Sequence, residues 1–354
     1  AGSRSTEIGS RSTEISADIV LSTDGRRIVS MGHGRATLFD IGSDGIAAVL
    51  GQPLRQGNRG PITHLALSVD GSLLVSNVGG LAAFGIKLAP SFDQSRVIWD
   101  VRTDVNLVVD ISPDSQLVAI GGDGRALFSA VDGRHLWNSP PPPADISVDL
   151  CLPERLRFSP KRTWVAGNTY ERTLDVFAVG DATPALPWTS VVHLSSFCDA
   201  VVFSRDERFM ATSGGAFYQT APTADGWRKL WSVSVPAAPR YGVFYDGMGS
   251  DISFSPDETQ LLISSCNGNE RCTTRLVSVQ AATVLQNLPA LDAPHPSFSP
   301  DGSWIVAGGS LLHLASGDVR PLDPAVKTTV ALFTPEGDII AGSDDVLTRY
   351  CRNH

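Results

Sequence analysis

The apolar residues of this chain fall in short runs of strand length, separated by clusters of turn residues. The clearest unit is Phe298–Gly309, where a strand ending in Phe-Ser meets a Pro-Asp-Gly turn and then a second apolar strand. Proline presets φ in such a turn and glycine permits a positive φ. Runs rich in β-branched and aromatic residues between turns indicate strands, and no segment keeps a helical period. The pattern therefore predicts an all-β protein.

This unit recurs eight times along the chain. The turns begin at Ser22, Ser68, Ser112, Ser159, Ser204, Ser255, Ser299 and Thr334. Successive starts are separated by 46, 44, 47, 45, 51, 44 and 35 residues, and a period of about 45 is typical of a four-stranded propeller blade. A third strand follows in each copy, and a more polar fourth strand precedes the next copy, most clearly at Arg96–Val101. We predict an eight-bladed β-propeller of four-stranded antiparallel blades.

The repeated Phe-Ser-Pro-Asp-Gly core resembles the WD-repeat and TolB-like β-propeller superfamily, from about Ala17 to Tyr350. The Trp-Asp dipeptide that ends the third strand of WD repeats is missing from all eight copies. The pair Trp99-Asp100 falls in a predicted fourth strand instead. The resemblance is therefore to the bacterial, TolB-like end of the superfamily. It implies a rigid ring that binds other proteins, and a periplasmic partner role is one case of this.

The two ends of the chain raise the question of how the ring closes. Copy eight provides only three strands, while residues 1–16 precede the first copy as a separate segment ahead of a single propeller domain, 17–354. Gly2–Ile8 and Gly9–Ile15 are identical heptapeptides. We expect residues 3–15 to supply the missing outer strand of blade eight. Strand addition to a neighbouring molecule, or an engineered tag, are the alternatives.

Charge and hydropathy exclude some classes of function. The net charge is −9, whereas binding to a phosphate backbone needs a basic face, so we expect no nucleic-acid partner. No apolar run reaches 18 residues, so we expect no transmembrane segment.

Five cysteines bear on the compartment. Cys266 and Cys272 flank a predicted hairpin loop of blade six, where a disulfide would pin the loop. Cys151 and Cys198 precede the inner strands of adjacent blades and form a second candidate pair, which leaves Cys351 single. These pairs predict an oxidising compartment, secreted or periplasmic; five reduced thiols in the cytoplasm are the alternative.

Candidate ligand residues come from the predicted tunnel rim. The positions four and five residues before each motif Ser or Thr should lie there, and their charged and histidine members are Asp18, His64, Glu154, Arg155, Asp199, Asp251 and His295. Carboxylates and imidazoles in one ring could hold a divalent cation or a small polar ligand. The alternative is that these residues bind no ligand and are polar because the tunnel rim of a propeller is exposed to water.

Standard catalytic motifs are missing from the sequence. It contains no Gly-x-Ser-x-Gly elbow, no His-Glu-x-x-His helix motif and no phosphate-binding glycine-rich loop. We therefore predict no catalytic residues and no cofactor. The expected function is a non-enzymatic scaffold for protein–protein interaction or self-assembly in an extracytoplasmic compartment. The alternative is a metal-dependent lyase or lactone hydrolase with its site at the tunnel rim.

Overall fold

The structure is a computed structural model of the 354-residue chain. It describes residues 18–23, 25–32, 35–42, 45–49, 62–78, 82–90, 94–102, 108–121, 125–138, 156–168, 173–179, 190–195, 200–221, 227–234, 251–266, 272–289, 291, 295–323, 330–343 and 346–351.

The described residues form 31 strands in eight antiparallel sheets, and no α-helix occurs among them. Each sheet follows chain order, so consecutive strands pair. The fold prediction is confirmed: the protein is an all-β, eight-bladed β-propeller. Seven blades have four strands and blade eight has three described strands. The predicted strand from residues 3–15 lies outside the described residues.

The chain divides into two compact units, residues 1–54 with 236–354 and residues 55–235. The first unit contains blade one, β1 (Asp18–Leu21), β2 (Arg27–Gly32), β3 (Arg35–Gly42) and β4 (Gly45–Val49); blade six, β21 (Asp251–Phe254), β22 (Gln260–Cys266), β23 (Cys272–Ser278) and β24 (Thr283–Asn287); blade seven, β25 (Ser297–Phe298), β26 (Trp304–Ala307), β27 (Ser310–His313) and β28 (Val319–Pro321); and blade eight, β29 (Val330–Phe333), β30 (Ile339–Ser343) and β31 (Val346–Tyr350).

The second unit contains blade two, β5 (Ile62–Leu67), β6 (Leu73–Val78), β7 (Ala82–Lys87) and β8 (Arg96–Arg102); blade three, β9 (Val108–Ile111), β10 (Leu117–Gly121), β11 (Arg125–Ser129) and β12 (His135–Asn138); blade four, β13 (Leu156–Phe158), β14 (Trp164–Asn168), β15 (Thr173–Ala178) and β16 (Ser190–Ser195); and blade five, β17 (Val201–Phe203), β18 (Phe209–Thr212), β19 (Ala216–Gln219) and β20 (Arg228–Ser232).

The core of each unit lies between neighbouring blades. In the first unit, Ile28 and Phe39 of blade one pack with Ile340 and Leu347 of blade eight. In the second unit, strands of blades two and three share one buried cluster, and blades three and four share the next. Because a blade sheet is apolar on both faces, stacking blade on blade removes both faces from water.

The repeated turn is held by its own side chains. In blade seven, the buried Ser299 hydroxyl donates to Asp301 Oδ1 at 2.6 Å and accepts the Trp304 amide at 2.9 Å. Asp301 Oδ1 also accepts the Ser303 amide at 3.0 Å. Ser68, Ser112, Ser204 and Ser255 make the same pair of bonds in their own blades. The motif serine and aspartate are therefore structural.

The fourth residue of the turn is left-handed in every copy, with φ between 58° and 92°. Glycine occupies this position in four copies. The other four copies have Ser115, Arg162, Glu207 and Glu258. In these residues the Cβ atom comes close to the following carbonyl oxygen, which makes the left-handed conformation unfavourable. The bonds made by the turn serine and its neighbours hold the turn even where glycine is missing.

The fourth strands share a feature that the repeat pattern does not show. Six of the seven described pairings between a third and a fourth strand contain a bulge or similar irregularity. In the seventh, β28 is short and ends at Pro321. A bulge twists an outer strand, and proline removes a donor, so both make a sheet edge a poor template for further strands.

Candidate functional site

Four of the seven predicted rim residues fall in the described part of the chain. Asp18 begins β1, His64 lies in β5, Asp251 begins β21, and His295 lies just before β25. Glu154, Arg155 and Asp199, like Cys151 and Cys198, lie outside the described residues. The position four before the motif serine is therefore at or near the start of an inner strand, as expected.

Asp251 and His295 come together in the first unit. His295 Nδ1 lies 3.1 Å from Asp251 Oδ2, and each side chain is about a quarter exposed, at 24% and 23%. The second carboxylate oxygen, Oδ1, accepts the Ile252 amide at 2.9 Å. This bond fixes the carboxylate against its own strand, so that its other oxygen can orient the imidazole.

The backbone at His295 is left-handed, with φ of 55°. The left-handed conformation costs a residue with a Cβ about 1–2 kcal/mol. Such backbone strain persists only where the surrounding structure holds the residue in place. An imidazole that donates Nδ1–H to a carboxylate leaves Nε2 as an acceptor or ligand atom. The described residues contain no group of three or more His, Cys, Asp or Glu side chains that could hold a metal ion.

Asp110 is a second polar residue of an inner strand, and it is not among the predicted rim residues. It lies in β9, and its Oδ2 accepts the Phe158 amide of β13 at 2.8 Å, which joins blades three and four. Burial raises the pKa of the Asp110 carboxyl above its ordinary 3.8, against the opposing effects of Arg157 and the Phe158 and Ile111 amides. The signal available in the sequence is an aspartate inside the apolar run Val108–Ile111.

The hairpin of blade six carries the first predicted cysteine pair. Cys266 ends β22 and lies opposite Cys272 of β23 in the register. Cys272 is disulfide-bonded, whereas Cys351 is an exposed free thiol. The side chain of Cys266 lies outside the description, so its pairing with Cys272 stays a prediction that the register accommodates.

Blade eight differs from the other blades in having three described strands instead of four. β31 pairs with β30 in continuous register from Val346 to Tyr350, with no bulge. The described residues place no strand on its other side. A regular strand presents alternate N–H and C=O groups along such an edge, which makes it a template for one more strand.

Two side chains of β31 distinguish this edge. The Arg349 guanidinium donates two hydrogen bonds to Asp338 Oδ2, at 2.8 and 2.5 Å, and both side chains are nearly buried. The Tyr350 hydroxyl is buried, and the part of the chain that the structure describes offers it no hydrogen-bond partner. Burial, with the Asp323 carboxylate as a second cause, raises the pKa of this hydroxyl above its ordinary 10.0.

No helix among the described residues has the length and hydropathy needed to span a bilayer. Comparison of the chain with protein-family models and with curated proteins gives no match. The eight-bladed propeller is therefore established by the fold, while the WD-repeat or TolB-like assignment rests on the repeated turn motif alone.

Proposed function

We propose that the protein is a non-enzymatic scaffold that associates with protein chains by accepting a β-strand at the outer edge of β31 in blade eight. The observation that carries this proposal is that β31, a third strand in regular register with β30, has no outer neighbour among the described strands. In each of the other seven blades a described fourth strand pairs with the third strand, so among the described third strands β31 is the one whose outer edge remains a template for pairing.

The repeated polar residues support a scaffold because they hold the fold together. Motif serines and aspartates satisfy one another and the backbone of their own turns. Asp251 and His295 form one acid–imidazole pair, and the described residues contain no group of three or more metal-ligating side chains. Under this proposal, the main-chain groups of the β31 edge make the contact with the bound strand.

The donor strand comes from residues 3–15 under this proposal. Given by the chain to its own blade eight, the strand closes the propeller as a monomer; given to a second copy, it links molecules. Both cases use the same main-chain hydrogen bonds, and domain exchange of this kind needs no new contact surface.

The test uses the full chain with its own donor strands disabled. The substitutions Ser5→Pro, Thr6→Pro, Ser12→Pro and Thr13→Pro remove two adjacent amide donors from each heptapeptide, which prevents regular strand pairing there. A labelled peptide of sequence Gly-Ser-Arg-Ser-Thr-Glu-Ile should then bind this variant, measured by fluorescence anisotropy. A control peptide with prolines at its fourth and fifth positions should not bind. Equal binding of both peptides, or no binding of either, contradicts the proposal.

The proposed compartment is extracytoplasmic, periplasmic or secreted. Its support is the disulfide-bonded Cys272 with Cys266 opposite it in the hairpin, since such bonds persist in oxidising compartments. Alkylation of thiols before unfolding, followed by mass spectrometry without reduction, should recover the peptides that contain these cysteines as one linked species. Recovery of both cysteines as alkylated thiols would count against this compartment.

A further inference from the structure

Blade seven carries a stacked pair of side chains that the proposed function does not use. The guanidinium of Arg320, in β28, lies over the indole of Trp304, in β26, with 4.7 Å between its Cζ and the ring centre. We propose that this pair is a binding site for a carboxylate group of a ligand. The site goes beyond the proposed function, because it lies on blade seven and needs no strand at the β31 edge.

The indole is a fixed platform for the arginine. Trp304 packs against the buried cluster that contains Val306 of blade seven and Ile339 of blade eight. His313 lies opposite Trp304 in the register of β26 and β27, and 4.4 Å separates the centres of the two rings. A guanidinium within about 6 Å of an indole centre is attracted to the ring. Stacking on this platform therefore orients the guanidinium of Arg320.

The imidazole of His313 is held by the turn between β27 and β28. Its Nδ1 lies 2.9 Å from the Ser316 hydroxyl, which donates to Asp318 Oδ2 at 2.7 Å. A hydroxyl has one proton, and here it goes to the carboxylate, so the Ser316 oxygen accepts Nδ1–H from the imidazole. These bonds hold the ring of His313 beside the indole and engage Asp318 within its own turn.

The guanidinium of Arg320 is stacked but has no acidic partner in the described part of the chain. Arg320 is exposed, and no carboxylate among the described residues lies within ion-pair distance of it. A guanidinium has five N–H donors in a planar fork and no acceptor. Since the indole covers a face of this plane, the N–H groups at its edge remain for a ligand that accepts hydrogen bonds.

Blade five contains a comparable stack with its carboxylate. Arg208 lies over the ring of Phe209, with 5.8 Å between its Cζ and the ring centre, and its Nε donates to Asp206 Oδ2. The ring therefore contacts a face of the guanidinium while a carboxylate contacts its edge. In blade seven the arginine and the ring are present, and no described side chain supplies the carboxylate.

The charge of the site favours a carboxylate over a phosphate. A guanidinium can bind the oxygens of either group in pairs. One cation balances the single charge of a carboxylate, whereas a phosphorylated side chain carries about −1.5 to −2 at neutral pH. The net charge of −9 gives the protein no excess of basic groups that would attract a more highly charged anion. A small organic acid and an acidic side chain of a peptide both provide the carboxylate.

The test follows the indole N–H resonances of the full chain prepared with isotope-labelled tryptophan. Trp304→Phe identifies the resonance of Trp304. Sodium acetate is the probe; acetamide, at equal concentration, and sodium chloride, at equal ionic strength, are the controls. We expect acetate to shift the Trp304 resonance saturably and the controls to leave it unchanged. No shift with acetate, or an equal shift with either control, overturns the proposal.

Two arginine variants locate the binding site. Arg320→Met keeps an unbranched side chain but removes the charge, so it should weaken acetate binding at least about tenfold. Arg208→Met is the matched control, because Arg208 is also exposed and stacked on an aromatic ring but already has Asp206. It should leave the effect of acetate on the Trp304 resonance unchanged. Unchanged acetate binding by Arg320→Met overturns the proposal.

A pair of peptides separates the two sources of the carboxylate. The end-blocked peptides Gly-Gly-Glu-Gly-Gly and Gly-Gly-Gln-Gly-Gly differ in one charge. Binding of the glutamate peptide at least about tenfold tighter than acetate identifies a polypeptide side chain as the ligand, and similar affinities identify a small acid. Equal binding of both peptides overturns the proposal. These measurements do not involve β31, so their failure leaves the proposed function standing.

Discussion

Blade two and blade eight share the antiparallel arrangement of their first three strands but differ at their outer sides. The fourth strand of blade two, β8, places Trp99 in the core shared with blade three, where the indole is 7% exposed. Its Nε1 donates to the Ala130 carbonyl at 3.0 Å. In blade eight the outermost described strand is β31, and its Arg349 reaches back to Asp338 of its own blade.

This comparison shows what a fourth strand does in the repeat. Trp99 fits because Gly85 and Gly133 have no side chains; an added Cβ would lie 2.0 Å and 2.5 Å from the indole, respectively. One outer-strand side chain thus joins two blades. In blade eight, Arg349 of the outermost described strand, β31, pairs with Asp338 of the same blade. This ion pair links β31 to the residue that directly follows the turn of blade eight.

The largest expected effect comes from removing the contact of blade two. Trp99→Ala should lower the free energy of unfolding by about 3–5 kcal/mol, because it empties a large buried site and deletes the bond to Ala130. Denaturant unfolding measures this loss. Trp231→Ala is the control from another fourth strand, since Trp231 is only partly buried, and a loss as large in the control would show that the blade two contact is not special.

The second effect tests the ion pair of blade eight. Arg349→Met should cost about 2–3 kcal/mol, because it leaves the Asp338 carboxylate, 9% exposed, without its cation. Arg208→Met is the matched control: Arg208 also pairs with an aspartate, but its side chain is 75% exposed, so its loss should cost no more than about 0.5 kcal/mol. Equal losses would show that burial does not strengthen the blade eight pair.

A smaller effect should come from the hydroxyl at the edge of blade eight. Tyr350→Phe should cost about 1 kcal/mol in the full chain if the donor strand proposed from residues 3–15 supplies a hydrogen bond to the tyrosine hydroxyl. The same substitution should cost nothing when Ser5→Pro, Thr6→Pro, Ser12→Pro and Thr13→Pro are present. Thermal unfolding of the four proteins forms a double-mutant cycle, and zero coupling between the two sites would separate the tyrosine from the N-terminal strand.

The smallest effect concerns the turn of blade two and its dependence on pH. Burial raises the pKa of Asp70, but hydrogen bonds from Ser68 and Ser72 outweigh it, so that the pKa lies below the ordinary 3.8. Because the folded pKa is below the unfolded one, this carboxylate stabilises the fold above about pH 4, and its contribution is lost as pH falls through the folded pKa.

Asp70→Asn should therefore cost about 0.5–1 kcal/mol at neutral pH and almost nothing near pH 2. Glu336→Gln is the control in blade eight, where the Thr334 hydroxyl accepts the Asp338 amide instead of following the serine–aspartate pattern. Thermal unfolding at both pH values measures the two differences. If Asp70→Asn lowered the free energy of unfolding equally at both pH values, the lowered pKa of Asp70 in the folded protein would be contradicted.

The blade count, the strand order and the position of each turn can be predicted from the amino-acid sequence alone. These features depend on interactions within about five residues, such as Ser299 with Asp301 and Trp304. The strand predicted at Arg96–Val101, around Trp99, is confirmed as β8. The eight turns were recoverable because the same local chemistry is repeated each time.

Contacts between distant residues, in contrast, depend on how the blades pack in three dimensions. The bond from the Phe158 amide to Asp110 joins residues 48 apart, and the contact of His295 with Asp251 joins residues 44 apart. The sequence placed the latter two near one rim, but it could not pair them, because pairing depends on how adjacent blades stack. The bulges of the fourth strands and the glycine-lined site of Trp99 likewise depend on the neighbouring strand or blade, which a pattern of apolar and polar positions does not encode.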